Sequence, residues 1–259
     1  MTKIYLVTFG NQECTRTKDR LANEAKNSGW FDGVFAYGEE DVSHFNKNLK
    51  GTGGGFWWWK PVIQQFALDQ INENDILVYL DAGFYLNSYG KEIFDYYINK
   101  VKNNLGLLVF HAGDTEKIRT KRDLFKMMDC DYPEYFNTQI ASGIFVAKKN
   151  QLTITLLEEF KRVCNIDHAV NTEPSEYEEY PEFIDHRHDQ SVFSLTVKKL
   201  LKNQNIDLEE LSTKEINGKI YKHDDEVNTV KQYFRDKDNR VLKELKFPFI
   251  TCRLRDNDF

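Results

Sequence analysis

The sequence predicts an α/β fold, with a mostly parallel central sheet flanked by helices. Residues 76–80 (ILVYL) form an unbroken apolar run rich in β-formers, between a polar turn and a glycine. That is the pattern of a strand buried on both faces. Residues 4–9 (IYLVTF), 15–27 and 34–37 then read as strand, helix and strand, a βαβ unit that favours parallel pairing. No internal repeat or composition break marks a boundary, so a single domain over residues 1–259 is expected.

The first strand ends at Thr8, Phe9 and Gly10, and the helix after it carries Arg16, Lys18 and Arg20 in its first half. Basic residues near a helix start oppose the macrodipole and read as a solvated face, or as a partner for a bound phosphate. Residues 51–61 (GTGGGFWWWKP) place four glycines ahead of Trp57, Trp58, Trp59 and Lys60. The glycines predict a loop without rigid local shape, and Pro61 fits the first turn of the helix that follows. Consecutive helical residues point in different directions, so the three tryptophans do not share one core site. Core filling accounts for some of them, and at least one is expected to line a cleft or pack under the loop.

After the central strand, residues 91–101 read as a helix and residues 105–110 (LGLLVF) as a buried strand closed by a polar turn at 111–114. Residues 120–128 read as a helix, 139–147 (QIASGIFVA) as a small-residue patch and β run, and the stretch from Leu152 to Phe160 as an amphipathic helix. The acidic segment 173–182 reads as a surface loop. Residues 186–191 (HRHDQS) then open a helix whose Val192, Phe193, Leu195 and Val197 face the core. Residues 204–220 read as loop or short helix, residues 219–222 as a possible strand, and residues 248–255 as a final strand with Arg253 and Arg255.

A hydrophobic content of 41% and an aromatic content of 14% suit a large core and stacking surfaces. The net charge of −6 argues against a nucleic-acid backbone as main partner. The four scattered cysteines form neither a metal-spaced set nor a disulfide framework, which fits a reducing, cytoplasmic setting, including one peripheral to a membrane. No signal peptide is visible and no apolar run approaches the ~18 residues of a membrane span, so no transmembrane segment is expected.

Asp81, Ala82 and Gly83 follow the central strand. An acid at the carboxyl end of a buried parallel strand sits at the crevice where α/β sheets bind ligands, and small residues beside it admit a ligand to the backbone. A plain strand-ending turn uses the same residue types. His186 and His188 would project to opposite sides of an extended chain and lack the spacing of a helical zinc pair. His111 and His223 read as lone structural histidines.

In order along the chain, TFGN at 8–11 with Arg20, GFWWWKP at 55–61, YLDAG at 79–83, Gln139 with Ser142 and Gly143, and HRHDQS at 186–191 resemble the motif series of GT-A-type glycosyltransferases of the capsular or surface-polysaccharide kind. The resemblance spans residues 3–200. It implies a GT-A-like, Rossmann-like fold and transfer of a sugar from a nucleotide-diphosphate sugar donor to a saccharide or glycoprotein acceptor. Residues 1–110 would mainly serve the donor and 111–259 the acceptor.

By the same resemblance, Thr8, Phe9, Gly10, Arg20, Lys60, Asp81, Ala82 and Gly83 would bind the donor. Trp57, Trp58, Trp59, Gln139, Ser142, Gly143 and His188 would bind acceptor or sugar. Asp81 would hold a divalent metal, Mn2+ or Mg2+, weakly because Gly83 stands where a second acid is expected. Asp189 and Gln190 would be catalytic, Asp189 as base on the acceptor hydroxyl or as stabiliser of positive charge on the donor sugar. Lys60, Arg253 and Arg255 are candidate partners of the leaving diphosphate, and residues 51–55 a loop that closes over the donor.

Two other readings compete. A nucleotidyltransferase or similar nucleotide-using α/β enzyme calls for a phosphate-cradling glycine loop directly after the first strand, which residues 9–12 (FGNQ) lack. A non-catalytic, degenerate transferase that binds nucleotide or glycan is favoured by Gly83 and opposed by Asp189 and Gln190.

Overall fold

The computed structural model describes residues 2–204 and 247–251. Its centre is a five-stranded sheet in the order β2-β1-β3-β8-β5, built from β1 (Ile4–Phe9), β2 (Gly33–Tyr37), β3 (Ile76–Leu80), β5 (Leu107–Leu108) and β8 (Ile144–Lys148). β1 pairs in parallel with β2 and β3, while β8 runs antiparallel to both β3 and β5, so the sheet has one reversed strand. Two short antiparallel pairs flank it: β4 (Phe84–Leu86) with β9 (Phe249–Thr251), and β6 (His111–Thr115) with β7 (Thr138–Ile140).

Five longer helices cover the sheet: α1 (Thr15–Ser28), α2 (Lys60–Gln70), α3 (Lys91–Asn103), α4 (Gln151–Cys164) and α5 (His188–Asn203). Every residue of β3 is buried, and alternation sorts its side chains between two cores. Leu77 and Tyr79 join α2, α4 and α5 through Val62, Ile63, Leu157, Phe160 and Phe193. Ile76, Val78 and Leu80 join α1 and α3 through Leu21, Phe94, Ile98 and Val101. The long apolar run is thus a strand between two helical layers.

The structure departs from the sequence reading in three described places. Only Leu107–Leu108 of the expected 105–110 strand pairs with β8. Residues 111–114, read as a polar turn, belong to strand β6, whose partner β7 satisfies its backbone in spite of its polar side chains. The expected helix at 120–128 is shortened to Arg122–Met127, and a separate short helix, Glu116–Arg119, precedes it. Between them Thr120 is extended, its hydroxyl donates to Glu116 Oε2, and the Lys121 N–H donates to His186 Nδ1. Those tertiary partners outweigh local helix preference. The readings at 204–222 and of Arg253 and Arg255 lie outside the described residues, apart from Gln204, which closes α5.

Candidate active site

The strand alternation that buries Tyr79 also places Asp81 on its side of the sheet, just beyond the carboxyl end of β3. The Tyr79 hydroxyl donates to Asp81 Oδ1 at 2.5 Å. Burial, then the Asp81 charge, raise the tyrosine pKa well above its ordinary value, so it stays a neutral donor. The Asp81 N–H donates to Gly143 O at 2.9 Å. A Cβ on Gly143 would lie 2.8 Å from Asp81 Oδ2, so only glycine lets the turn before β8 approach this carboxylate.

Asp189 arrives from the first turn of α5, 4% exposed. Between the two acids lies Lys60, the first residue of α2, whose side chain is 2% exposed. Lys60 Nζ is 2.7 Å from Asp189 Oδ2 and 3.2 Å from Asp81 Oδ1. It also donates to Ser142 Oγ at 3.3 Å, while the Ser142 hydroxyl donates to Asp189 Oδ2 at 2.6 Å. Burial alone would lower the lysine pKa, but the charges of Asp189 and Asp81 more than offset it and hold the ammonium above its ordinary value. Burial pushes the Asp189 carboxyl up, against the pull of Lys60. Two carboxylates far apart in sequence therefore meet through one shared ammonium at the rim of the sheet. Asp81 keeps 38% of its side chain exposed, and Asp189 only 5%.

Gln139 is fully buried and its amide is spoken for: Nε2 lies within hydrogen-bond distance of Glu116, Thr120 and Ser191 for its two protons, and Oε1 accepts from Gln190 Nε2 at 2.8 Å. It ties α5 to β7 and offers nothing to an acceptor. Trp58 and Trp59 are 3% and 6% exposed, so they have no face for a sugar. Their indoles instead fasten the glycine loop, donating to Asn48 O and Gly53 O. Trp57 is the half-buried one; its ring lies tilted against His188, on which Phe56 stacks.

This loop has a definite shape. Gly53, Gly54, Gly55, Phe56 and Trp57 all have positive φ, a left-handed turn. A Cβ at Gly55 would sit 2.0 Å from Asn48 O. Phe56 and Trp57 carry a strain of about 1–2 kcal/mol each in that conformation. His188 also has positive φ, and its Nδ1 donates to Val170 O at 2.7 Å. Burial lowers its pKa despite that bond, leaving a neutral ring with Nε2 as acceptor.

The β1 end is closed to ligands. Thr8 is fully buried, Phe9 stacks on Trp59 at 3.9 Å, and a Cβ at Gly10 would meet Cys14 O at 2.6 Å. Arg20 faces the back of the site. Its Nη2 donates to Ala82 O and Phe84 O, Nη1 pairs with Glu24, and its guanidinium covers the Tyr85 ring. It positions the turn that carries Asp81. We expect Arg20→Ala to destabilise the fold by about 2–4 kcal/mol, because two buried carbonyls lose a charged donor. Arg20→Lys should not restore it, since one ammonium does not span the fork. Urea unfolding reads both, and a loss below about 0.5 kcal/mol for Arg20→Ala refutes the assignment.

His186 and His188 do not diverge as expected; their rings are edge-on at 5.7 Å, because the chain turns at His188. His186 Nε2 donates to Ala169 O, and burial takes its pKa down to about 3. The unfolded chain binds this proton below about pH 6.5 and the folded one does not, so stability is complete above that pH and falls with acid. Between pH 7 and 4.5 this histidine should cost about 2–3 kcal/mol. Urea titrations at both pH values should show a smaller difference in His186→Gln; an equal difference assigns the acid loss elsewhere.

A divalent ion at Asp81 is poorly served by these residues. Oδ1 already accepts from Tyr79 and Lys60, Oδ2 faces Gly143, and an ammonium lies beside the carboxylate. Among the described residues, no group of three or more His, Cys, Asp or Glu side chains converges as a metal site.

No protein-family model and no curated protein matches the chain. Solved structures resemble it at low similarity. One is a glycosyltransferase involved in glycosylation of the major capsid of PBCV-1, at 16% identity and TM-score 0.42, covering 71% of this chain and 81% of that one. Another is the glycosyltransferase GlyE of Streptococcus pneumoniae TIGR4, at 15% and 0.43, covering 98% and 55%. A third is the 4-diphosphocytidyl-2C-methyl-D-erythritol synthase of Anaerococcus prevotii DSM 20548, at 12% and 0.42, covering 90% and 99%. No described helix is long and apolar enough to cross a membrane.

Tyr79 and Phe56 lie inside the YLDAG and GFWWWKP stretches but carry no site role in the sequence reading. Only Tyr79 had a readable signal, two residues before Asp81 on the same strand face.

Proposed function

We propose that the protein is a glycosyltransferase that moves a sugar from a nucleotide-diphosphate sugar to a saccharide acceptor. The observation that carries this reading is the Asp81–Lys60–Asp189 constellation at the carboxyl rim of β3. It joins the two motifs on which the resemblance most depends. Asp81 is the carboxylate open to a substrate, and Asp189 and Ser142 fix the ammonium beside it. In the transfer, an acceptor hydroxyl forms a bond to the anomeric carbon, the bond to the diphosphate breaks, and the hydroxyl proton passes to a carboxylate. Trp57, Phe56 and the neutral His188 supply an aromatic wall with one imidazole acceptor, suited to a sugar face and its hydroxyls.

Thermal unfolding with UDP, GDP, CDP and their sugar conjugates tests the reading, with hydrolysis of the donor as readout of turnover. We expect one nucleotide series to raise the Tm and its sugar conjugate to be consumed. If no nucleotide raises the Tm, the reading falls. Binding without consumption of any donor, with or without added saccharide, identifies a non-catalytic binder.

A further inference from the structure

Lys60 sits against the preferences of its own helix. It is the first residue of α2, where a positive charge opposes the macrodipole, and it is almost wholly buried. Its three ammonium protons face three acceptors: Asp189 Oδ2, Asp81 Oδ1 and Ser142 Oγ. Nothing in the sequence around Lys60 calls for this arrangement. Its geometric result is a single positive charge set between two carboxylates, one of which opens to the outside.

An ion bridging Asp81 and Asp189 would have to occupy the volume that Nζ fills. One bound to Asp81 alone would lie beside that ammonium, which repels it. The two carboxylate oxygens that point at Nζ are not spare either. Asp81 Oδ1 has two donors, Asp189 Oδ2 has two donors, and Gly83 supplies no side chain. We infer that Lys60 is the built-in cation of this site: it takes the position between Asp81 and Asp189 that a divalent ion would otherwise hold, and the pocket works without Mn2+ or Mg2+. This deepens the sugar-transfer reading, and the Lys60 assignment is tested first by Mn2+ binding, which needs neither nucleotide nor turnover.

The test uses MnCl2 on the full chain, read by the free-Mn2+ EPR signal and by the Tm. Wild-type protein is expected to leave the signal unattenuated and to melt at the same temperature in millimolar Mn2+ and in EDTA. Lys60→Ala exposes two carboxylates to each other, and should bind Mn2+ about tenfold or more tighter than wild type as the repelling charge is lost. Its Tm should rise with Mn2+, and Asp81→Asn added to it should abolish both responses. Lys60→Met keeps the aliphatic stem and serves as the second variant. Should either variant fold only when Mn2+ is present, that is the same rescue.

Wild-type protein that binds Mn2+ and loses it on Asp81→Asn overturns the inference. So does failure of both Lys60 variants to bind Mn2+, which would make the lysine a structural ion-pair partner only. A parallel arm compares the Tm rise given by nucleoside diphosphates in Mn2+ and in EDTA. Equal rises are expected, and a rise confined to Mn2+ also overturns metal independence. No rise with any nucleotide counts against sugar transfer and leaves the Lys60 result standing on Mn2+ alone.

Discussion

Asp189→Asn should reduce transfer by a factor of order 10² or more while leaving the nucleotide-induced Tm rise largely intact. The carboxylate touches Lys60 and Ser142 and is shielded from solvent, so its effect passes through the lysine. With the Asp189 charge gone, Lys60 pairs with Asp81 alone. The carboxylate open to substrate then has its charge committed to the ammonium. Stability should fall too, by about 2–3 kcal/mol, below the 3–5 of a fully broken buried pair because Lys60 keeps one partner. Kinetics separate the two effects: kcat falls at temperatures well under the melting point, and the donor KM changes little. Asp189→Glu, which restores the charge at a longer reach, should recover part of kcat. Wild-type turnover from Asp189→Asn would show that the chemistry runs without this carboxylate.

The main lines of this site were legible because they depend on patterns that are local in sequence. A buried run ending in an acid locates the rim of the sheet, and an Asp-Gln pair at a helix start supplies the opposing group. Their meeting around Asp81 and Asp189 follows from topology. From the sequence Lys60 reads as a partner of the leaving diphosphate, because sugar transfer needs that charge neutralised. Its burial depends on Asp81, Ser142 and Asp189, all remote in sequence. The glycines of 51–55 predict a loop without rigid local shape, which the structure overturns. Glycine permits many conformations, and the left-handed one is selected by indole donors on Trp58 and Trp59. Strand β6 was missed because HAGDT has no apolar alternation; its pairing with β7 defines it.

The largest loss of stability should come from a pair that has no share in the chemistry. Glu116 is fully buried at the start of the helix after β6. Its Oε1 accepts from Lys198 Nζ at 2.8 Å and from the Ser194 hydroxyl, and its Oε2 accepts from Thr120 at 2.7 Å and Gln139 at 3.0 Å. Lys198 also donates to the carbonyls of Tyr135 and Asn137, so the pair fastens α5 to β7 and to the turn before it. Burial lowers the Lys198 pKa, with Glu116 opposing. Lys198→Met leaves the Glu116 charge with neutral donors only, at a cost of about 3–5 kcal/mol. Glu116→Gln strands the ammonium and should cost about the same. The double variant, Glu116→Gln with Lys198→Met, removes both charges and should be less destabilised than either single one, a coupling of about 2 kcal/mol or more in a double-mutant cycle by urea unfolding. Additive losses would mean that the two charges do not depend on each other. Because α5 also carries Asp189, cooling the single variants below their melting transition should restore most of the activity. A kcat that stays low in a folded variant would show that the pair also sets the position of Asp189.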